Sequence, residues 1–396
     1  MVYWQPIKLA VDLNCAATSD QRNLPLAWEL AILNEVNPWI AVSPVQRRQF
    51  LQQLLQTSGG LIGASLLTGC QSQAFDPLFL LDLLDPKMPL PDHLITPIGE
   101  FYVQSYALPS QVKLETWELK IDGAVNQPLT LKFDDILNAP QEEFYLTMEC
   151  IGNPAGGNLI GNARWTGTPL LPFLEKAGVK PEAVEFKMRG NDWYETTLPV
   201  AELLRPEVRL VHRMNGEPLT KEHGFPLRII IPGHFGQKQP KWLVGIKAIA
   251  KPETGYWENQ GWSNTAEIPT HALLRQVQEQ RVWNGHHSVT FKDELTNPTN
   301  RWRDGILLAG VALDRSTPIT QVQVSVDNGQ TWQVAEQNQP SSPHEWTLWR
   351  YRWLPARPGN YTILARAQSG REMQEITRSD KMQGRPGVLK INVTLA

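Results

Sequence analysis

Phe144-Tyr-Leu-Thr-Met-Glu-Cys150-Ile-Gly-Asn-Pro154 is the stretch that decides the reading of this chain. A strand-like run of apolar and β-favouring residues delivers one cysteine into a loop that also holds Gly152, Asn153, Gly156, Gly157 and Gly161. Two readings stand side by side. A free cysteine is commonly buried as a small apolar group. The same strand could instead present a thiol for chemistry, in a glycine-rich loop whose backbone N–H groups can come close to an anion. No Lys-Ser/Thr pair follows, so the loop is not a phosphate loop of the nucleotide-binding kind.

Upstream, Thr116-Trp-Glu-Leu-Lys-Ile-Asp-Gly123 alternates with period two and ends at a turn, as a strand does, and Thr130-Leu-Lys-Phe continues the pattern. Asp134-Asp-Ile-Leu starts a short helix with an acidic first turn. Downstream, a helix is expected over residues 169–177, with Pro172 in its first turn and Gly178 behind it. Leu227-Arg-Ile-Ile-Ile-Pro232 is an apolar run bounded by proline, typical of a buried strand. Strands and short helices mix without regular alternation, which predicts an α+β domain. Beyond about Pro269 the pattern changes to short strands separated by turns, such as Ile306-Leu-Leu-Ala-Gly-Val-Ala-Leu313 and Ile319-Thr-Gln-Val-Gln-Val-Ser-Val326. Asn328-Gly329 supplies a hairpin turn. This part predicts an all-β, immunoglobulin-like sandwich.

Composition narrows the function. A length of 396 residues suits two or three domains, and 41% hydrophobic against 19% charged residues excludes a largely disordered chain. The formal net charge of −3 argues against a nucleic-acid binder. The 15 Trp and 31 Pro read as a β-rich body with ordered loops rather than a helical bundle. Cys15, Cys70 and Cys150 are too few for a disulfide framework or a multi-cysteine zinc site, so each stands alone.

The amino-terminal part reads as an address. Arg47-Arg48, then Phe50-Leu51 and a short apolar run, resemble a twin-arginine export signal. Leu67-Thr-Gly-Cys70 resembles a lipobox, which makes Cys70 a candidate lipid anchor. The apolar core is too short to span a bilayer. The expected product is periplasmic or a membrane-anchored lipoprotein, and the alternative is an amphipathic helix leading into a glycine-rich loop. The expected divisions are 1–70 for the extension and signal, 71–97 for a linker, 98–265 for the α+β domain and 266–396 for the sandwich.

Cys150-Ile-Gly-Asn followed by Ala163-Arg164-Trp165-Thr-Gly resembles the molybdenum-cofactor domain of the sulfite oxidase family, whose pattern is Cys-x-Gly-Asn and then Ala-Arg-Trp-x-Gly. Met214-Asn-Gly-Glu-Pro-Leu, His223-Gly-Phe-Pro-Leu-Arg228 and Lys241-Trp-Leu agree, and the carboxy-terminal sandwich is similar to the family's dimerisation domain. The resemblance implies a mixed α/β molybdopterin-binding domain, a molybdenum–molybdopterin cofactor and a symmetric homodimer. It makes Cys150 the protein's ligand to molybdenum, which suits a soft thiolate. His223, Arg228 and Lys241 match positions that hold the pterin, with Arg and Lys suited to its phosphate. Gln239 and Pro240 match the phosphate loop, and Tyr102 with its neighbour Val103 matches the amino-terminal contact stretch. Asn153, Arg164 and Asp192 complete the cofactor candidates, Arg164 being equally suited to bracing the cysteine loop.

The chain also departs from the family. Sulfite oxidases read Phe-x-x-Arg-Asn-His where this chain reads Phe101-Tyr-Val-Gln104-Ser105-Tyr106, so the arginine that binds sulfite becomes Gln104. A second substrate arginine falls at Ala155, and the family's active-site tyrosine falls near Trp262. A dianion needs charge-assisted donors in a dry pocket, which weakens the case for sulfite. Arg189 is a candidate to supply the missing charge. Gln104, Tyr106 and Trp262 are expected to line the substrate pocket. The expected activity is oxygen-atom transfer to or from a sulfur-containing or other small substrate. Sulfite oxidation and reduction of an S-oxide such as methionine sulfoxide are the alternatives, and a catalytically inactive binding protein is the rival from outside enzymology. No Cys-x-x-Cys-His haem motif is present, so electrons are expected to pass to a separate cytochrome or quinone-linked partner. His286-His287 reads as a solvated loop, and Asp134-Asp135 and Glu142-Glu143 as caps and surface charge.

Overall fold

The computed structural model describes residues 89–107, 111–278, 280–281, 288–292, 302–377 and 379–396. The described residues all belong to one compact unit. Arg47, Arg48, Cys15, Cys70 and His286-His287 lie outside the described residues.

The first half begins with β1 (Leu119–Gly123), β2 (Leu129–Leu131) and the short helix α1 (Phe133–Leu137). The carboxylate of Asp135 accepts the Lys132 N–H at 2.7 Å, so the acidic first turn acts as a cap. Next come β3 (Glu142–Glu149), β4 (Ile160–Pro169) and α2 (Leu171–Ala177). Gly178 ends α2 at φ 66°, in the left-handed region that glycine adopts without strain. β5 (Glu185–Gly190), β6 (Glu195–Pro199), α3 (Val200–Leu203), β7 (Arg209–Met214), β8 (Glu217–Pro218), β9 (Arg228–Ile230), β10 (Leu243–Ile249) and α4 (Tyr256–Asn259) complete it.

Two five-stranded sheets result. One runs β2-β1-β10-β5-β6, with β1 and β10 parallel, and the other runs β3-β4-β7-β8 with β9 paired to β7. Side-chain alternation divides the second sheet between two cores. Leu210 and Ile229 face the cluster shared with the first sheet. Val211 and Ile230 face a second cluster with Leu146, Met148 and Trp165, which Phe101 closes from the segment before β1. A Cβ on Gly161 would lie 2.7 Å from the Phe101 ring, so this closure needs the glycine.

The second half contains β11 (His271–Val277), β12 (Gln280–Arg281), β13 (Ser288–Phe291), β14 (Ile306–Leu313), β15 (Ile319–Ser325), β16 (Gln333–Val334), β17 (Glu336–Gln337), β18 (Thr347–Trp353), β19 (Gly359–Ser369), β20 (Glu372–Met373) and β21 (Ile391–Leu395). They form two facing sheets, β12-β11-β14-β18-β17 and β13-β21-β19-β15-β16, with β20 on β19. The β15–β16 turn holds Asn328 at φ 60° and Gly329 at φ 88°, as its Asn-Gly sequence predicts. The fold is α+β followed by an all-β sandwich.

β14 is buried along its whole length, and alternation again gives the reason. Leu308 and Ala312 enter the sandwich core with Trp349. Val311 and Leu313 point the other way, where they pack with Ile151, Ile160 and Phe235 of the first half. The sheet therefore buttresses the loop that carries Cys150.

The closest approach inside this sheet is at Gly310, where a Cβ would lie 1.9 Å from the Leu273 carbonyl and 2.8 Å from the Trp349 ring. Gly310→Ala should force β11 and β14 apart and destabilise the protein by about 1–3 kcal/mol in urea denaturation. Gly99→Ala, with nothing within 4 Å, is the neutral control. Equal stability of the two variants would contradict this packing.

Candidate active site

The β3–β4 ladder ends at the Glu149–Ile160 pair, and Cys150 is the first residue past it. Its N–H donates to the Leu159 carbonyl at 2.9 Å, and its own carbonyl accepts the Asn153 N–H at 2.8 Å. The Asn153 side chain fastens the loop twice. It donates to Glu149 Oε1 at 2.8 Å and accepts the Leu159 N–H at 3.0 Å. Glu149 is fully buried, and its other oxygen lies 3.0 Å from His271 Nε2, at the start of the sandwich. Burial pulls His271 down, yet the Glu149 carboxylate outweighs it and holds the imidazole above its ordinary pKa. The thiol of Cys150 is half-buried and unpaired. Burial pushes its pKa up, partly opposed by the Gly152 N–H and reinforced by Glu149. It is a protonated thiol until something electrophilic displaces the proton.

Cys150 opens into a cavity of about 320 Å³. Arg228, at the start of β9, lines it and is only 4% exposed. Its Nη1 donates to the His223 carbonyl at 3.3 Å, its Nη2 meets Met148 Sδ at 3.0 Å, and the guanidinium lies over the Trp165 ring at 5.4 Å. Among the described residues its Nε has no partner. Burial lowers its pKa to about 10. Lys241 lines the same cavity, and its Nζ donates to Ser105 Oγ at 2.7 Å and the Glu222 carbonyl at 2.8 Å. Burial, then the neighbouring Arg228, lowers the ammonium to about 7. His223 Nε2 meets the Ile98 carbonyl at 3.2 Å, and burial lowers this imidazole as well. Burial raises the Asp192 carboxyl, so the one acid in the lining only partly offsets the cations. A buried guanidinium with an orphaned N–H and a half-buried ammonium beside it form a seat for an anion. A Cβ on Gly236 would reach within 3.0 Å of the Tyr102 hydroxyl, so the glycine keeps the space beside that phenol open.

The structure brings most of the expected residues to this cavity. Cys150, Tyr102, Gln104, Tyr106, Asp192, His223, Arg228, Gln239, Pro240, Lys241 and Trp262 all line it. The Gln239 side chain is committed to the His234 carbonyl at 2.6 Å. Three candidates are not in the lining. Val103 is 44% exposed and lies outside the lining. Asn153 is buried behind the cysteine loop, in the bracing role just described. Arg164 reaches Glu143 at 3.8 Å, so its ion pair takes it to the surface of the β3–β4 pair. Arg189 does not supply the missing charge, because it is outside the lining and lies over the Trp193 ring at 5.4 Å. Ala155 packs against the sandwich core. Tyr194 and Trp257, which the sequence reading did not single out, belong to the lining too. The one local signal for Trp257 is the clustering of aromatics at 256–262, and only tertiary contact brings that cluster opposite Tyr106.

The oxidoreductase molybdopterin-binding domain model matches residues 105–257. The oxidoreductase YuiH of Bacillus subtilis (strain 168) is 34% identical over 155 residues, which are 39% of this chain and 76% of YuiH. The chain belongs to the sulfite oxidase family. It is a molybdopterin-binding oxidoreductase. Mitochondrial sulfite oxidase of Macaca fascicularis is 29% identical over 325 residues, 71% of this chain and 57% of that protein, so the chain spans little more than half of the relative's length. The sulfane dehydrogenase SoxCD from Paracoccus pantotrophus shares the fold, with a TM-score of 0.61 and 19% identity over 91% of this chain and 95% of that one.

The anion seat should depend on pH in one direction. Lys241 is charged below its pKa of about 7 and neutral above it. Sulfate keeps a constant charge over this range. Its affinity for cofactor-free protein should fall roughly tenfold per pH unit above 7 where the lysine proton is required. Lys241→Arg should flatten the profile. A wild-type affinity that does not change from pH 6 to 9 would contradict the assignment.

Proposed function

We propose that this chain is an exported molybdenum-cofactor oxidoreductase that transfers an oxygen atom to or from sulfur in a small substrate. One observation carries the reading. A single soft thiol and a cationic seat with an orphaned N–H open into the same cavity. Among the described residues no cluster of three or more His, Cys, Asp or Glu side chains forms, so a metal at Cys150 has to bring its remaining donors with it. A dithiolene cofactor does so, and its phosphate answers the cationic seat. When bound, the cofactor supplies a two-electron couple and the site of oxygen exchange.

The chain's own residues then have distinct tasks. Cys150 gives up its proton and ligates through Sγ. Arg228, Lys241 and His223 hold the pterin and its phosphate. Burial, then Cys150, keeps the Tyr102 hydroxyl protonated far above neutral pH, so it is a hydrogen-bond donor there. Trp262, against the cysteine loop, keeps water from the reacting side. The sulfite oxidase and sulfane dehydrogenase relatives are both named for sulfur chemistry, which supports sulfur as the reacting atom. Arg47-Arg48 and Leu67-Thr-Gly-Cys70 support twin-arginine export and acylation of Cys70, giving a periplasmic or membrane-anchored protein. Electrons pass to or from a separate redox protein in this reading, and the sandwich joins two copies.

Elemental analysis of protein from cells able to make the cofactor should give about one molybdenum per chain. Cys150→Ser should lose activity by about 100-fold or more, since losing even the groups that orient metal ligands costs roughly 10–100-fold. Protein without molybdenum would overturn the enzyme reading and favour a binding role for the fold.

A further inference from the structure

We propose that an aromatic wall over Cys150 determines specificity and selects an uncharged organic sulfoxide, or its thioether, in place of an inorganic anion. The proposal rests on the oxygen-transfer reading above. A Cβ placed on Gly152 would lie 3.6 Å from the Trp262 ring and 3.8 Å from Cys150 Sγ, so this indole stands against the ligand loop. The rings continue outward in contact. Trp262 meets Trp257 at 6.0 Å between centroids, Trp257 meets Tyr256 at 4.9 Å, and Tyr256 meets Tyr106 at 4.5 Å. Tyr106 and Tyr256 are about 40% exposed, which places them at the mouth. The wall thus runs from the thiol to solvent.

Its mounting is rigid. Glu258 of α4 is buried, receives Thr196 Oγ1–H at 2.7 Å and Gln237 Nε2–H at 3.2 Å, and pairs with the fully buried Lys238. Gln237 also donates to the Ser263 carbonyl at 3.1 Å, and the Trp262 N–H to the Trp257 carbonyl at 3.1 Å. The rings are held before any substrate arrives, which lets them discriminate.

The charge pattern agrees. Among the described residues Arg228 and Lys241 are the only arginine or lysine in the lining, and both belong to the cofactor seat. Gln104 stands where an anion would need a guanidinium, and offers a neutral N–H donor to an S=O oxygen instead. An alkyl or aryl arm on sulfur gains apolar burial and sulfur–aromatic contact from the wall, whereas sulfite gains nothing there and loses its hydration. Reduction of such a sulfoxide breaks the S=O bond, consumes two electrons and two protons, and releases the thioether and water. The electrons come from a separate one-electron redox protein, and reduced methyl viologen replaces it in an assay.

The test uses holoenzyme of measured molybdenum content. Calorimetric titration with methyl phenyl sulfone, an analogue that is not turned over in the assay, is compared with sulfate. The sulfone should bind at least tenfold tighter. Trp257→Ala should abolish that advantage and raise KM for methyl phenyl sulfoxide at least tenfold with little change in kcat, and Trp257→Phe should retain both. The Phe variant keeps the test valid where the Ala variant fails to fold. Loaded enzyme that prefers sulfate, or oxidises sulfite while ignoring the sulfoxide, would overturn the aromatic selection and leave the oxygen-transfer reading standing. Protein that contains no molybdenum would remove both.

Discussion

The arrangement depends on a guanidinium that has been taken out of water without a carboxylate to match it. Among the described residues Arg228 has no acidic partner; its contacts are a carbonyl, a thioether and an indole face. A buried, incompletely paired cation is costly, and the cost is removed only by an anion supplied from outside. Lys241 follows the same logic, since burial and Arg228 together bring its pKa to about 7. The cavity carries an excess of positive charge, which a phosphate-bearing cofactor would neutralise.

The other half of the site is held by structure far away in the chain. Cys150 projects from the end of a hairpin whose loop is tied by Asn153 and Glu149, and Glu149 is answered by His271 from the sandwich. The doubly buried β14 adds an apolar buttress behind Ile151. Geometry at the thiol therefore depends on both halves of the unit, and damage to the sandwich is expected to reach the metal site without touching it.

Local pattern made much of this legible. The unbroken apolar run at Ile306–Leu313 reads as a strand buried on both faces, because each face meets a different core. Asn328-Gly329 forms its turn because only residues tolerant of positive φ fit there. Cys150 stands out as a lone cysteine in a glycine-rich loop, and His223, Arg228 and Lys241 through the motifs that resemble the sulfite oxidase family. Arg164 misleads for a physical reason: a motif shared along one strand includes residues that face away from the site, and its ion pair with Glu143 carries it outward. Asn153 lies outside the cavity lining and braces the loop, a role visible only once the loop closes. Tyr194 escapes the sequence because it reaches the cavity through long-range packing against Tyr106 and Gln237, and Trp257 because its place there shows only once its neighbour Tyr256 packs on Tyr106.

The central claim is that one protein thiolate completes the coordination of a metal whose other sulfur donors come from the cofactor. X-ray absorption at the molybdenum edge tests it most directly. Wild-type protein should show about three sulfur neighbours and Cys150→Ser about two, given two dithiolene sulfurs and one thiolate. An unchanged sulfur count in the variant would contradict the assignment of Cys150 and, with it, the account of the cavity.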